Sequence, residues 1–180
     1  LADTETPQGV VAVVFYSPLT LNELSLKKEP LLVVVDAIQD PGNLGTIIRT
    51  ADAAGADAVI LLPGTCDAFM AKAIRSTAGS IFNIPIVYAE TDTLLNWLTA
   101  KRIRKIVTSA DAKTSIFDAD LKGAAAFVFG NEAHGASEQL RKSADLILKI
   151  PIYGRAESHN VASAAAICLY EAVRQRNLLV

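Results

Sequence analysis

Leu31-Leu-Val-Val-Val-Asp36-Ala-Ile-Gln-Asp40-Pro-Gly-Asn43-Leu-Gly45-Thr-Ile-Ile-Arg49 changes its hydrophobic period within one short stretch. Leu31 to Asp36 is a continuous, β-branched apolar run, the pattern of a strand buried on both faces. Pro41 and Gly42 turn the chain. From Asn43 onward Leu44, Ile47, Ile48 and Ala51 recur at helical spacing, and Gly55 is a helix stop. Asn43 reads as the N-cap of that helix, with Arg49 nearly two turns on. Open α/β sheets place ligands where a strand ends in a tight turn and a helix start. A capped helix with a surface arginine is the plain alternative.

The same alternation extends outward in both directions. Val10 to Phe15 reads as a further buried strand, and Leu19 to Leu24 as a short helix in a polar, turn-rich segment. Downstream, strands are predicted at Ala58–Leu62, Ile84–Tyr88, Lys105–Ser109, Ala124–Phe129 and Leu146–Ile150. Helices are predicted at Asp67–Ser76, Asp92–Ala100, Ser137–Lys142 and Asn160–Arg176. Such alternation predicts one α/β domain with a mostly parallel sheet flanked by helices on both faces.

Composition narrows the function class. Hydrophobic residues make up 51% and charged residues 20%, enough for a sizeable core. No apolar run reaches the roughly 18 residues of a membrane span, and no signal peptide is visible at the N-terminus. Cys66 and Cys168 have no partner spacing for a metal or disulfide, so a reduced, cytoplasmic setting is expected. The net charge of −2 argues against a dedicated nucleic-acid binder. The run Lys101, Arg102, Arg104, Lys105 is the densest basic patch, and a solvated helix end leading into a strand is the simpler reading of it.

Two further segments carry more polar residues than a fold needs. In Phe129-Gly130-Asn131-Glu132-Ala-His134-Gly135, a buried strand enters a glycine-bracketed loop holding a carboxylate and an imidazole. The spacing of Gly130 and Gly135 matches neither a dinucleotide fingerprint nor a P-loop. In Ile150-Pro151-Ile-Tyr153-Gly154-Arg155-Ala-Glu157-Ser158-His159-Asn160-Val161, a strand ends at proline and a polar loop feeds an alanine-rich helix. Either Ser158 or Asn160 can cap that helix. Capping needs only one of these polar residues, and the helix N-terminus is suited to holding negative charge.

Taken in order, these three segments resemble the signature motifs of the SpoU (TrmH-like) family in the SPOUT superfamily of RNA methyltransferases. The resemblance runs from Thr6 to the C-terminus. It implies a sheet closed by a C-terminal trefoil knot, an exception to the rule against threaded loops. It also implies a homodimer with its active site near the subunit interface. Thr6-Pro7-Gln8-Gly9-Val10 is similar to the linker after an N-terminal L30e-like RNA-binding domain. On that reading residues 1–29 are linker and first strand, and residues 30–180 are the catalytic domain.

The roles that follow from the resemblance are expectations. The methyl donor S-adenosylmethionine would be held, mainly by backbone, at Thr108, Ser109 and Ala110, then Gly130, Asn131 and Glu132. Ile150, Ile152, Ser158, His159, Asn160 and Val161 would complete that site. Asn43, Arg49, Glu132, Ser158 and Asn160 match the catalytic positions. Arg49 resembles the residue proposed to assist deprotonation of the ribose 2′-hydroxyl from the opposite subunit. Since an arginine titrates above ~12, orientation and charge stabilisation suit it better than base catalysis. His159 departs from the leucine usual in the family. No metal is implied, and the sequence has no Cys/His cluster.

The expected activity is methyl transfer to a ribose 2′-hydroxyl, with ribosomal RNA the first target and transfer RNA the second. A SPOUT base methyltransferase is the nearest alternative, and a non-enzymatic RNA-binding factor a distant one. Retention of all five catalytic positions speaks against the latter. A small hydrolase would need a nucleophile elbow, P-loop or metal constellation, and none is present.

Overall fold

The computed structural model describes Gly9 and residues 12–177 of the chain's 180. Its sheet is built from β1 (Leu31–Val35), β2 (Ala58–Leu61), β3 (Ile86–Tyr88), β4 (Arg104–Thr108), β5 (Thr114–Ser115), β6 (Ala125–Phe129) and β7 (Leu146–Lys149). The helices are α1 (Pro41–Ala53), α2 (Ala71–Thr77), α3 (Thr91–Ala100), α4 (Glu138–Ser143) and α5 (Val161–Asn177). Strand order is β3-β2-β1-β6-β4-β7-β5, and every pairing is parallel. This is the expected α/β class. Parallel pairing requires crossovers, which place helices on the faces and make central strands apolar throughout. In β1 and β6 every residue is accordingly buried.

Alternate side chains of these strands feed two cores. Val33, Val35, Phe127 and Phe129 pack with Leu44, Ile47 and Ile48 of α1 and with Ala165, Cys168 and Leu169 of α5. Leu32, Val34, Ile60 and Val128 face the other way, against Leu94, Trp97 and Leu98 of α3 and Leu140 of α4. Each fully buried aliphatic or aromatic side chain contributes about 1.5–3 kcal/mol. On the first face α1 lies very close to α2. A Cβ on Gly45 would stand 2.5 Å from both the Ala73 carbonyl oxygen and Ser76 Cβ.

Where expectation and structure part, the cause is local. Val10 and Val11 lie outside the described residues, but Ala12 to Phe15 form no strand and are exposed, Phe15 by 99%. An apolar run becomes a strand only if a sheet edge receives it, and none does here. Asp67 caps a turn by accepting from the Phe69 amide (2.9 Å), so α2 starts four residues after the predicted position. Asn43 is not the N-cap of α1. Asp40 is, accepting from the Asn43 amide at 2.9 Å, because Pro41 fits the first helical position and moves the start upstream. The short helix near Leu19 is a single 3₁₀ turn at Leu21–Glu23. Among the described residues no helix is long and apolar enough to cross a membrane.

Candidate functional site

Four adjacent strands, β1, β6, β4 and β7, end on the same edge of the sheet, and the loops that follow β6, β4 and β7 line a cavity of about 530 Å³. Carboxyl ends of parallel strands are the usual ligand edge of such sheets. All twelve positions assigned to the donor by the family resemblance lie on its wall, from Thr108, Ser109 and Ala110 through Gly130–Glu132 to Ser158–Val161. Ile150, Ile152, Val161 and Ala164 give part of that wall an apolar character.

Loop-to-loop bonds hold the β1 and β6 loops together. Asp36, buried at the end of β1, accepts from the Ser137 amide at 2.7 Å. Asn131 donates from Nδ2 to the Ala37 carbonyl (2.9 Å), and its Oδ1 accepts from the amides of Ala133 and His134 (2.9 and 3.2 Å). Ala37 sits at φ 55°, a left-handed conformation costing about 1–3 kcal/mol for a residue with a Cβ. Its amide donates to Thr65 Oγ1 at 3.1 Å, so both its backbone groups are fixed. Gly130 is required by packing: a Cβ there would lie 2.0 Å from the Ala136 nitrogen.

With Asp40 capping α1, the Asn43 side chain is free to link the three segments. Its Nδ2 donates to Glu132 Oε1 at 3.0 Å, and its Oδ1 accepts from Asn160 Nδ2 at 3.0 Å. Asn160 also caps α5, its Oδ1 accepting from the amides of Ala162 (2.9 Å) and Ser163 (3.2 Å). Glu132, Asn43 and Asn160 thus form one hydrogen-bonded row at the cavity. Burial pushes the Glu132 carboxyl up, but bonds from Asn43 and from backbone amides, including Gln39 and Asp40, outweigh it and hold the group below the usual carboxylate range. Ser158 and His159 line the cavity and are exposed, so the imidazole meets solvent.

Arg49 is not brought to this cavity. It lies on the exposed surface of α1, six residues and about 120° around the helix from Asn43. It makes no hydrogen bond or ion pair among the described residues. Sequence reasoning missed Asp111 and Arg141, which share the wall. A polar turn and an arginine in a short helix gave no signal for them. Among the described residues no group of three or more His, Cys, Asp or Glu is placed to hold a metal.

Known proteins resemble the chain over most of its length. Over 170 residues the chain is 42% identical to the 23S rRNA (guanosine(2553)-2′-O)-methyltransferase RlmP of Bacillus subtilis, covering 94% of this chain and 66% of that protein. It is 36% identical to the 23S rRNA (uridine(2479)-2′-O)-methyltransferase of Streptomyces viridochromogenes, covering 96% of this chain and 62% of that one. The chain therefore spans just under two thirds of the length of each. The crystal structure of the SpoU methyltransferase AviRb from Streptomyces viridochromogenes, in complex with the cofactor AdoMet, superposes with a TM-score of 0.85 at 34% identity, covering 90% of this chain and 66% of that one. The sequence model of the SpoU rRNA Methylase family matches residues 30–170, which hold every strand of the sheet, the cavity and the Glu132–Asn43–Asn160 row, and the chain belongs to that family.

Proposed function

We propose that this chain is the catalytic unit of an S-adenosylmethionine-dependent RNA 2′-O-ribose methyltransferase, with ribosomal RNA as its first substrate and transfer RNA as the second to assay. The observation that carries the reading is the hydrogen-bonded row joining Glu132, Asn43 and Asn160 across three separate segments beside one cavity. Two similar proteins are named for methylating different bases' nucleotides, a guanosine and a uridine, at the same 2′-oxygen. A ribose target is common to both, which supports ribose over base methylation.

The cavity suits the donor. Its volume lies in the range of small-molecule sites. Apolar residues can cover the adenine, and the Glu132 carboxylate provides negative charge for a cationic ligand. When bound, the donor supplies an activated methyl group, so the chain's own work is positioning and exclusion of water. Thr108–Ala110, Gly130–Asn131 and Ile150–Ile152 present backbone to it, while Ser158, His159, Asn160 and Val161 complete the wall.

On the acceptor side, Glu132 Oε1 is engaged by Asn43 at 3.0 Å, while the Gln39 amide approaches Oε2 at a long 3.5 Å. A carboxylate oxygen accepts more than one bond, so Oε2 can also accept from an incoming ribose hydroxyl. Asn43 fixes that carboxylate and Asn160 fixes Asn43. Ser158, at the mouth with no protein bond among the described residues, supplies a further polar contact to the ribose. Arg49 serves a second copy of the chain, orienting the RNA and stabilising the developing alkoxide at the partner's cavity. This is the reason a homodimer belongs to the proposal. The trefoil knot belongs to it as well: the 109–113 connection passes the carboxyl end of β7, the crossing that a knot needs. Residues 30–180 form the catalytic unit, and its setting is the cytoplasm.

The test is calorimetric titration with S-adenosylmethionine and S-adenosylhomocysteine, with the mass in solution measured alongside. Transfer of labelled methyl to ribosomal RNA follows, with nuclease digestion to locate the label on ribose or base. A dimer that binds the donor and yields 2′-O-methyl nucleotide is expected. A folded protein that binds neither compound refutes the reading.

A further inference from the structure

β7 lies between β4 and β5 in the sheet, so the connection Ser109–Lys113 must arch across the carboxyl end of β7 to reach β5. The pairing β5 makes there is short, Thr114 opposite Leu148 and Ser115 opposite Lys149. At its start the arch is tied by the Ser109 amide, which donates to the Leu148 carbonyl at 2.9 Å. Between these anchors it has little regular structure of its own, yet Ser109, Ala110 and Asp111 form one wall of the cavity.

Among the described residues, one side chain from another element grips the arch by hydrogen bonds. Arg141, on α4, donates from Nη1 to Ser109 Oγ at 2.5 Å and from Nη2 to both carboxylate oxygens of Asp111 at 3.2 and 3.1 Å. Ser109 Oγ in turn donates to Asp111 Oδ1, closing a three-membered ring of bonds. Arg141 is the one lysine or arginine among the residues lining the cavity. A fork with fixed donor geometry suits a bidentate grip of this kind, which a lysine ammonium cannot reproduce.

Stability does not explain the arrangement. The Asp111 side chain is 72% exposed and that of Arg141 34%, and ion pairs so open to water add little to the fold. Their effect falls on the arch. α4 follows directly on the Gly130–Ser137 loop, so the grip joins the wall from β4 to the wall from β6.

We propose that Arg141 is a positioning residue for the methyl donor: by holding Ser109 and Asp111 it sets the arch so that the backbone of Ser109 and Ala110 faces the ligand. The proposal rests on the donor reading of the cavity given above. Loss of the grip leaves the arch to sample other positions, and the donor must then order it on binding, which weakens affinity.

The experiment compares the wild type with Arg141→Ala, Arg141→Lys, Asp111→Asn and the double variant Arg141→Ala/Asp111→Asn in the full chain. Donor affinity is read by calorimetry with S-adenosylmethionine, and arch mobility by amide hydrogen exchange over residues 109–113 without ligand. Arg141→Ala is expected to weaken donor binding about tenfold or more, the loss of a charge-assisted pair of bonds. The ligand-free thermal midpoint should stay nearly unchanged while exchange in the arch quickens. Lysine should recover only part of the affinity, and the double variant should be no worse than Arg141→Ala. In turnover the KM for the donor should rise with kcat largely retained. Unchanged affinity and unchanged exchange in Arg141→Ala overturn the proposal, as does a fall in thermal midpoint that accounts for the whole loss. If the wild type itself bound no donor, the methyltransferase reading would fall, and Arg141 would lose its role in donor positioning with it; the exchange data would then report only whether it holds the arch.

Discussion

Replacing Asn43 by aspartate keeps the side chain's shape and turns its Nδ2 donor into a carboxylate oxygen 3.0 Å from Glu132 Oε1. The bond to Glu132 becomes a repulsion, while the 3.0 Å bond from Asn160 Nδ2 to the other oxygen survives. Two unit charges ~4 Å apart repel by about 1 kcal/mol in bulk water and about 4 kcal/mol at an effective dielectric of 20. Glu132 is exposed, which places the repulsion near the lower figure, about 1–2 kcal/mol. Negative charge in the first turn of α1 offsets part of this, about 0.3–1 kcal/mol. In the parent protein Glu132 titrates below its ordinary value, burial notwithstanding, because amides and Asn43 donate to it. A carboxyl depressed in the folded state contributes stability above its unfolded pKa and loses it as pH falls through the folded value. In Asn43→Asp the two carboxyls compete, and the apparent value of the pair rises. The sign of the contribution therefore reverses. The variant should be about 1 kcal/mol less stable than the parent near neutral pH. That gap should close as the pH falls through the ordinary carboxylate range, about 4. Urea unfolding of both proteins across this range measures it. A gap that is constant with pH, or no gap at all, would refute the direct Asn43–Glu132 contact.

Three other perturbations test separate parts of the argument. Gly130→Ala sets a Cβ 2.0 Å from the Ala136 nitrogen and 2.1 Å from the Gly135 carbonyl carbon, both backbone atoms that cannot swing aside. It should cost about 3 kcal/mol or more, a fall of roughly 6–12 °C in thermal midpoint; a shift within error would show that the loop can give. Arg49→Ala should abolish methyl transfer while donor affinity and thermal midpoint stay at wild-type levels, because Arg49 has no protein partner among the described residues; a fully active variant sinks its proposed role. Burial pushes the Cys168 thiol up to about 12, and burial and then the Asp40 charge raise that of Cys66 less, which is only half-buried. Iodoacetamide under mildly alkaline conditions should therefore label Cys66 first, and Cys168 only on unfolding, as peptide mass spectrometry would read.

The central sheet was legible because of what parallel pairing does to sequence. Strands buried on both faces read as unbroken apolar runs, and β1, β2 and β6 are buried at every position. The same signal misleads at Ala12–Phe15, where the run is apolar but no strand edge takes it. β5 was invisible for the opposite reason. Thr114 and Ser115 are polar and owe their strand conformation to Leu148 and Lys149 of β7, far along the chain. The start of α1 was misplaced because an asparagine that can cap stood three residues beyond an aspartate that does.

That misplacement matters for the site, because the local role first given to Asn43 is filled by Asp40, leaving its amide for two distant partners. Glu132 is 89 residues away and Asn160 is 117. No local pattern encodes such bonds; the sequence shows polar residues in excess of capping needs at three strand ends, and only the sheet order brings them together. The excess then has a use. Asp36 meets the Ser137 amide, Asn131 meets Ala37, Asn43 meets Glu132 and Asn160, and Arg141 meets Ser109 and Asp111. With these polar groups spent on one another, the loops are fixed relative to the sheet, and the wall they form combines these bonded polar residues with the apolar Ile150, Ile152, Val161 and Ala164. A site built in this way depends on the groups that hold its loops more than on the side chain at every wall position. His159 illustrates the distinction: it stands on the wall, exposed, between two residues of the third segment, and the capping of α5 is carried by Asn160 beside it.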